Sequence, residues 1–156
     1  MSDRKSRVIT PEEIQKQNDI IESIHRYMIQ NNYEKKAFVE TYGCQQNVSD
    51  SEVLCGMLEK MGYTMCDSRE DADLIIYNTC AVREGAELKV FGNLGALKHL
   101  KNKNPDLIIG VCGCMMQQEQ VQTYIKSKFK HVDMVFGPSL HVQFPKMLSK
   151  VLQSRE

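Results

Sequence analysis

The chain has 156 residues, 42% of them apolar and 26% charged, a globular profile long enough for one domain with its own core. Lysine plus arginine balance aspartate plus glutamate, 20 against 20, so no global basic field drives nucleic-acid binding and any RNA contact must be local. No apolar run approaches a membrane span and none follows the polar opening Met1–Arg7, so a cytoplasmic, thiol-reducing setting is expected.

Residues 1–9 read as a tail. Thr10-Pro11-Glu12-Glu13 then predicts a helix start: Thr10 caps, Pro11 suits the first helical position and Glu13 completes a capping box. Ile14, Ile21, Ile24 and Met28 give that helix an apolar stripe, and Asn31-Asn32 ends it. Residues 1–35 are thus expected to form an arm beside a domain over 36–152. Lys36–Thr41 reads as the first strand. Ser49 and Glu52 suggest a second capping box, followed by a helix face of Val53, Leu54, Met57, Leu58 and Met61 that stops at Gly62. Tyr63–Cys66 suggests a short edge strand. Leu74-Ile75-Ile76-Tyr77 and Leu107-Ile108-Ile109-Gly110-Val111 are nearly continuous apolar runs, the pattern of strands buried on both faces. Between them 82–101 reads as a helix with Ala86, Val90, Leu94 and Leu97 inward. A helix over 116–129 with Val121, Tyr124 and Ile125 inward, a strand Met134–Phe136 and a helix over 140–152 complete the chain. Strands alternating with helices predict an α/β three-layer sandwich around a mainly parallel five-stranded sheet, flavodoxin-like or Rossmann-like.

Six cysteines remain to be explained. Cys44, Cys80 and Cys114 repeat one structural position, each at or just past the end of a strand-like run, 36 and 34 residues apart. In a parallel sheet such positions emerge at one edge, where open α/β sheets build their sites. The pattern favours a shared metal or iron–sulfur site over disulfides. Cys55, inside a helix, and Cys66, near the edge strand, are better read as packing. Cys112 is ambiguous: two residues from Cys114 it faces the same side of a strand, unless a turn at Gly113 separates them. Gly43 and Gly113 precede two of the three cysteines and admit close backbone approach. Asn47, Asn78 and Arg83 are polar groups beside the same turns, able to donate to cluster sulfides or substrate. Zinc is the competing metal, with His99, His131 or His141 as a fourth ligand, although paired CxxC ligands are missing. Phosphate-binding glycine motifs are also missing. The lysines of 98–103 and of 126–130 read as solvated helix ends. A different class stays open: a non-catalytic α/β module that binds a nucleotide or partner, with incidental or zinc-binding cysteines.

The segments Glu40-Thr41-Tyr42-Gly43-Cys44-Gln45-Gln46-Asn47, Asp50-Ser51-Glu52, Asn78-Thr79-Cys80-Ala81-Val82-Arg83-Glu84-Gly85-Ala86 and Gly113-Cys114-Met115 resemble the amino-terminal domain of the radical-SAM methylthiotransferases, over about residues 36–150. The TYGCQ pattern followed by Asn47 is similar to the branch acting on tRNA rather than to the LGCPKN branch acting on a ribosomal protein. Gln46, where methionine is common, and the extra Cys112 depart from the pattern without removing a ligand. The resemblance implies an auxiliary 4Fe-4S cluster on Cys44, Cys80 and Cys114. It also implies a reaction that replaces a C–H bond of isopentenylated adenosine, beside the anticodon, with C–S–CH3 at the expense of S-adenosylmethionine. The family's CxxxCxxC motif, which holds a second 4Fe-4S cluster in a following radical-SAM domain, does not occur in these residues. The chain is therefore expected to be one domain of a larger, monomeric enzyme, inactive by itself, with the radical-SAM domain and tRNA as partners.

Overall fold

The computed structural model describes residues 10–42, 45–79, 86–113, 116, 118–137 and 140–154. Five parallel strands form one sheet in the order β2-β1-β3-β4-β5. They are β1 (Lys36–Thr41), β2 (Thr64–Met65), β3 (Leu74–Thr79), β4 (Ile108–Gly113) and β5 (Met134–Phe136). The helices are α1 (Pro11–Gln30), α2 (Gln45–Met61), α3 (Ala86–Lys103), α4 (Glu119–Lys128) and α5 (Leu140–Ser154). This is the expected three-layer α/β architecture, in the doubly wound order of flavodoxin-like folds. The chain steps from β1 outward to β2, then crosses back to place β3 on the other side of β1. The strand order therefore reverses between β1 and β3.

Every residue of β3 and β4 is buried. Alternation along the strands divides their side chains between two cores. Leu74, Ile76, Ile108, Cys112, Met134 and Phe136 face α1, α2 and α5, where they meet Ile24, Leu54, Leu58 and Phe144. Ile75, Tyr77, Ile109 and Val111 face α3 and α4, where they meet Val90, Leu94, Leu97 and Ile125. The edge strands are short, two residues in β2 and three in β5. No helix of the described residues is long and apolar enough to cross a membrane.

The capping box at Thr10 forms as expected: the Glu13 amide donates to Thr10 Oγ1 at 3.1 Å, and the Thr10 amide donates to Glu13 Oε1 at 3.4 Å. Below it the stripe differs by one position. Ile14 is 48% exposed, and Gln17 takes the buried place beside Ile21, Ile24 and Met28. The reason is geometric. Ile14 lines the mouth of an open cleft between α1 and α2, with Val53, Gly56, Met57 and Lys60 across it, whereas Gln17 lies deeper in the same contact. Helix α2 begins at Gln45, so Ser49 and Glu52 lie inside it and do not cap it. Gly62, at φ 105°, ends that helix as expected, with the Tyr63 amide donating to the Leu58 carbonyl. Tyr124 is 42% exposed rather than inward, its ring tilted against Phe91 at 4.9 Å between centroids. The expected helix face of α3 is buried at Val90, Leu94 and Leu97; the side chain of Ala86 and residues 82–85 lie outside the described residues.

Candidate functional site

The three central strands β1, β3 and β4 are neighbours, and their carboxyl ends lie side by side. Thr41 pairs with Asn78, Asn78 with Cys112 and Thr79 with Gly113. In sequence, Cys80 and Cys114 are the next residues after β3 and β4, and Cys44 follows β1 by three. Cys44, Cys80, Cys114 and Arg83 themselves lie outside the described residues, as does Gly43. What is described is the set of strand and helix ends that flank the three cysteines in sequence. With parallel strands about 4.8 Å apart, the three strand ends span about 10 Å along one rim.

That rim is tied together by a buried polar network. Asn78, fully buried, donates through Nδ2 to the Asn47 carbonyl at 2.8 Å and to Ser51 Oγ at 3.1 Å. Asn47, also buried, donates through Nδ2 to the Thr79 carbonyl at 2.8 Å and to Asn78 Oδ1 at 3.3 Å. Ser51 and Thr41 share a 2.6 Å hydroxyl–hydroxyl hydrogen bond. Thr79 Oγ1 donates to the Cys112 carbonyl at 2.7 Å. The amide hydrogens of both asparagines are thus engaged by the protein. Together they tie the first turn of α2 to the end of β3.

Tyr42 and Gly113 complete the frame. The Tyr42 amide donates to the Asn78 carbonyl at 2.7 Å, and its hydroxyl accepts from Asn93 of α3 at 2.6 Å. Its ring meets Tyr77 edge-on at 5.2 Å, and burial pushes its phenol pKa up. Gly113 adopts φ 105°; a Cβ there would lie 2.7 Å from the Thr79 amide nitrogen and 2.8 Å from Asn78 Oδ1. Only glycine fits, so β4 can turn immediately before Cys114.

Cys112 precedes Gly113 in β4. Its side chain is fully buried in the core shared with α2 and α5, and burial, with Asp50 nearby, raises its thiol pKa strongly. A neutral thiol in that place is a core residue. Cys55 is half-buried on α2, with burial first and then Glu59 and Glu52 raising its pKa. Cys66 is half-buried and donates to the Ser68 carbonyl. Of the candidate zinc ligands, His99 lies near the end of α3 that leads into β4, and His131 precedes β5, so both belong to the opposite edge of the sheet. His131 Nε2 is 2.6 Å from the Leu94 carbonyl. The side chain of His141 lies outside the described residues. Among the described residues no group of three His, Cys, Asp or Glu is placed to hold a metal ion.

The donor set and the frame suit an iron–sulfur cluster. Three thiols follow three adjacent strand ends in sequence, Gly113 packs closely against Thr79 and Asn78 of β3, and buried polar side chains hold the flanking elements in place. Sequence reasoning did not single out Thr41, Ser51 and Thr79 as members of the network. The available signal was Asn78-Thr79, two polar residues closing an otherwise apolar buried strand. Such groups must find partners inside the fold.

The model of uncharacterized protein family UPF0004 matches residues 36–137. A curated tRNA-2-methylthio-N(6)-dimethylallyladenosine synthase of Alkaliphilus oremlandii is 57% identical over 154 residues, which is 99% of this chain and 32% of the relative. Enzymes of the same name from Clostridioides difficile and Acetivibrio thermocellus are 54% and 47% identical over 99% and 98% of this chain. The chain spans about a third of the length of these relatives, 32–33%.

Proposed function

The chain belongs to the uncharacterized protein family UPF0004, and from that membership we propose that it is the auxiliary 4Fe-4S domain of a tRNA methylthiotransferase. Residues 36–152 form the cluster-bearing domain and 1–35 its amino-terminal arm. The enzyme adds a methylthio group to isopentenylated adenosine of tRNA, in keeping with the names of the relatives, and the modified adenosine is the one beside the anticodon. Cys44, Cys80 and Cys114 hold the cluster. When bound, it supplies an iron not capped by a protein thiolate, a place for sulfur chemistry. Asn47 and Asn78 brace the ends of the elements that flank the ligands, and Arg83 follows Cys80 by three residues in sequence. S-adenosylmethionine and a second 4Fe-4S cluster belong to a radical-SAM domain that acts with this one on tRNA. The domain alone is inactive; the enzyme works in the cytoplasm as a monomer.

The observation that carries this reading is the adjacency of β1, β3 and β4, whose carboxyl ends lead directly to the three cysteines. Anaerobic reconstitution with iron and sulfide tests it. The expected product is brown protein with about four irons per chain. Cys44→Ala, Cys80→Ala and Cys114→Ala should each abolish binding, and Cys55→Ala should not. Equal loss in all four variants, or uptake of zinc with no iron, would refute the assignment.

A further inference from the structure

We propose that Asn78 is a positioning residue that sets the spacing of the three thiol loops before any metal arrives. The inference rests on the reading of Cys44, Cys80 and Cys114 as ligands of one site. Asn78 sits on the middle strand of the three, with β1 and β4 as its neighbours. Its side chain and main chain reach each of the loop bases.

Toward the loop of Cys44, its carbonyl holds the Tyr42 amide at 2.7 Å, just before the loop, and its Nδ2 holds the Asn47 carbonyl at 2.8 Å, just after it. The two anchors lie five residues apart in sequence and clasp Cys44 between them. Toward the loop of Cys80, Asn78 is two residues away, and Asn47 returns a bond to the Thr79 carbonyl at 2.8 Å. Toward the loop of Cys114, Asn78 Oδ1 closes the space over Gly113, where a Cβ would lie 2.8 Å from it. Ser51, accepting from Asn78 at 3.1 Å, carries the same frame to Thr41.

A buried amide with both hydrogens engaged is costly to disturb, because an unpaired partner remains in a dry site. Asn78→Asp keeps the volume, removes both donors and sets a carboxylate against the Asn47 carbonyl. The loop bases of Cys44 and Cys80 should then part. The thiols would be retained, but their convergence would be lost. Outer hydrogen-bond partners of metal ligands commonly govern affinity in this way.

Arsenite, which binds three convergent thiolates, reads that convergence without iron. The wild-type chain should take up one arsenite, lost in Cys44→Ala. Asn78→Asp and the milder Ser51→Ala should bind it about tenfold more weakly, equivalent to about 1.4 kcal/mol, and should shift the electron paramagnetic resonance signal of the reduced reconstituted cluster. Leu97→Ala, in the core on the other face, should lower the melting temperature and change neither readout. Wild-type arsenite binding and an unchanged cluster signal in Ser51→Ala and in any folded Asn78→Asp overturn the proposal and leave the cluster assignment intact. Should wild type bind arsenite as one per chain but take up no iron, the cluster assignment falls and the positioning role stands. If wild type binds neither, both fall.

Discussion

Replacing Gly113 with alanine tests the tightest point of the rim. The residue sits at φ 105°, where an L side chain costs about 1–2 kcal/mol. The added methyl would also meet the Thr79 amide nitrogen at 2.7 Å and Asn78 Oδ1 at 2.8 Å, closer than a real Cβ approaches anything. These atoms belong to the β3 backbone and to the buried asparagine pair, so neither can swing aside as a surface side chain would. Overpacking of this kind costs about 1–3 kcal/mol. A combined loss of about 3 kcal/mol follows, which for a chain of this size lowers the melting temperature by about 6–12 °C. The control is Gly92→Ala in α3, where an added methyl meets nothing within 4 Å. Removing a helix-interior glycine there should stabilise by up to about 1 kcal/mol. Thermal unfolding followed by circular dichroism compares the two. A Gly113→Ala protein melting within about 2 °C of wild type, on a scale where about 1 kcal/mol corresponds to about 2–4 °C, would show that β4 can turn without a glycine.

Cys112 should resist thiol reagents in the folded chain and react on unfolding, since burial holds it protonated. Because its folded pKa lies above the ordinary value of 9.0, its contribution is intact below about pH 9 and is lost as pH climbs beyond it, when only the unfolded chain sheds the proton. Denaturant midpoints measured from pH 8 to 10.5 should fall, more gently in Cys112→Ala; parallel slopes would refute the linkage. Thr10→Ala removes the Oγ1 acceptor of the Glu13 amide, leaving the Thr10 amide to donate to Glu13, and should cost about 1 kcal/mol in urea unfolding. Leu97→Ala empties a fully buried position between α3 and the sheet and should cost about 2–5 kcal/mol by the same measurement.

The strands were the most legible part of the sequence. The runs at 74–77 and 107–111 are apolar at consecutive positions, and that pattern announces burial on both faces. Their ends were less so. The strand-like stretches Asp73–Asn78 and Asp106–Val111 run on to Thr79 and Gly113, one and two residues further, at polar or glycine positions that a hydrophobicity reading discards. The same polar residues proved to be the braces of the rim. The start of α2 was misplaced because Ser49 and Glu52 match a capping box, while the hydrogen bonds that occupy Ser51 come from β1 and β3, more than nine positions away. Ile14 and Tyr124 were assigned inward on periodicity alone. Periodicity locates a face but not where a neighbouring helix stops covering it. The adjacency of the strand ends that precede Cys44, Cys80 and Cys114 was readable in the sequence, because three repeats of one position in parallel strands share an edge. The burial of Cys112 was not, since the apolar run alone does not say which face of β4 the helices cover at its end.

The margins of the sheet carry a consequence for how this domain meets company. With only two residues in β2 and three in β5, either flank offers a visiting chain too few free amides and carbonyls to zip onto. Polymerisation through added strands is discouraged on both sides. Neighbours are left with the helical layers or the cysteine-bearing end as places to dock, and at that end they would meet the chemistry directly.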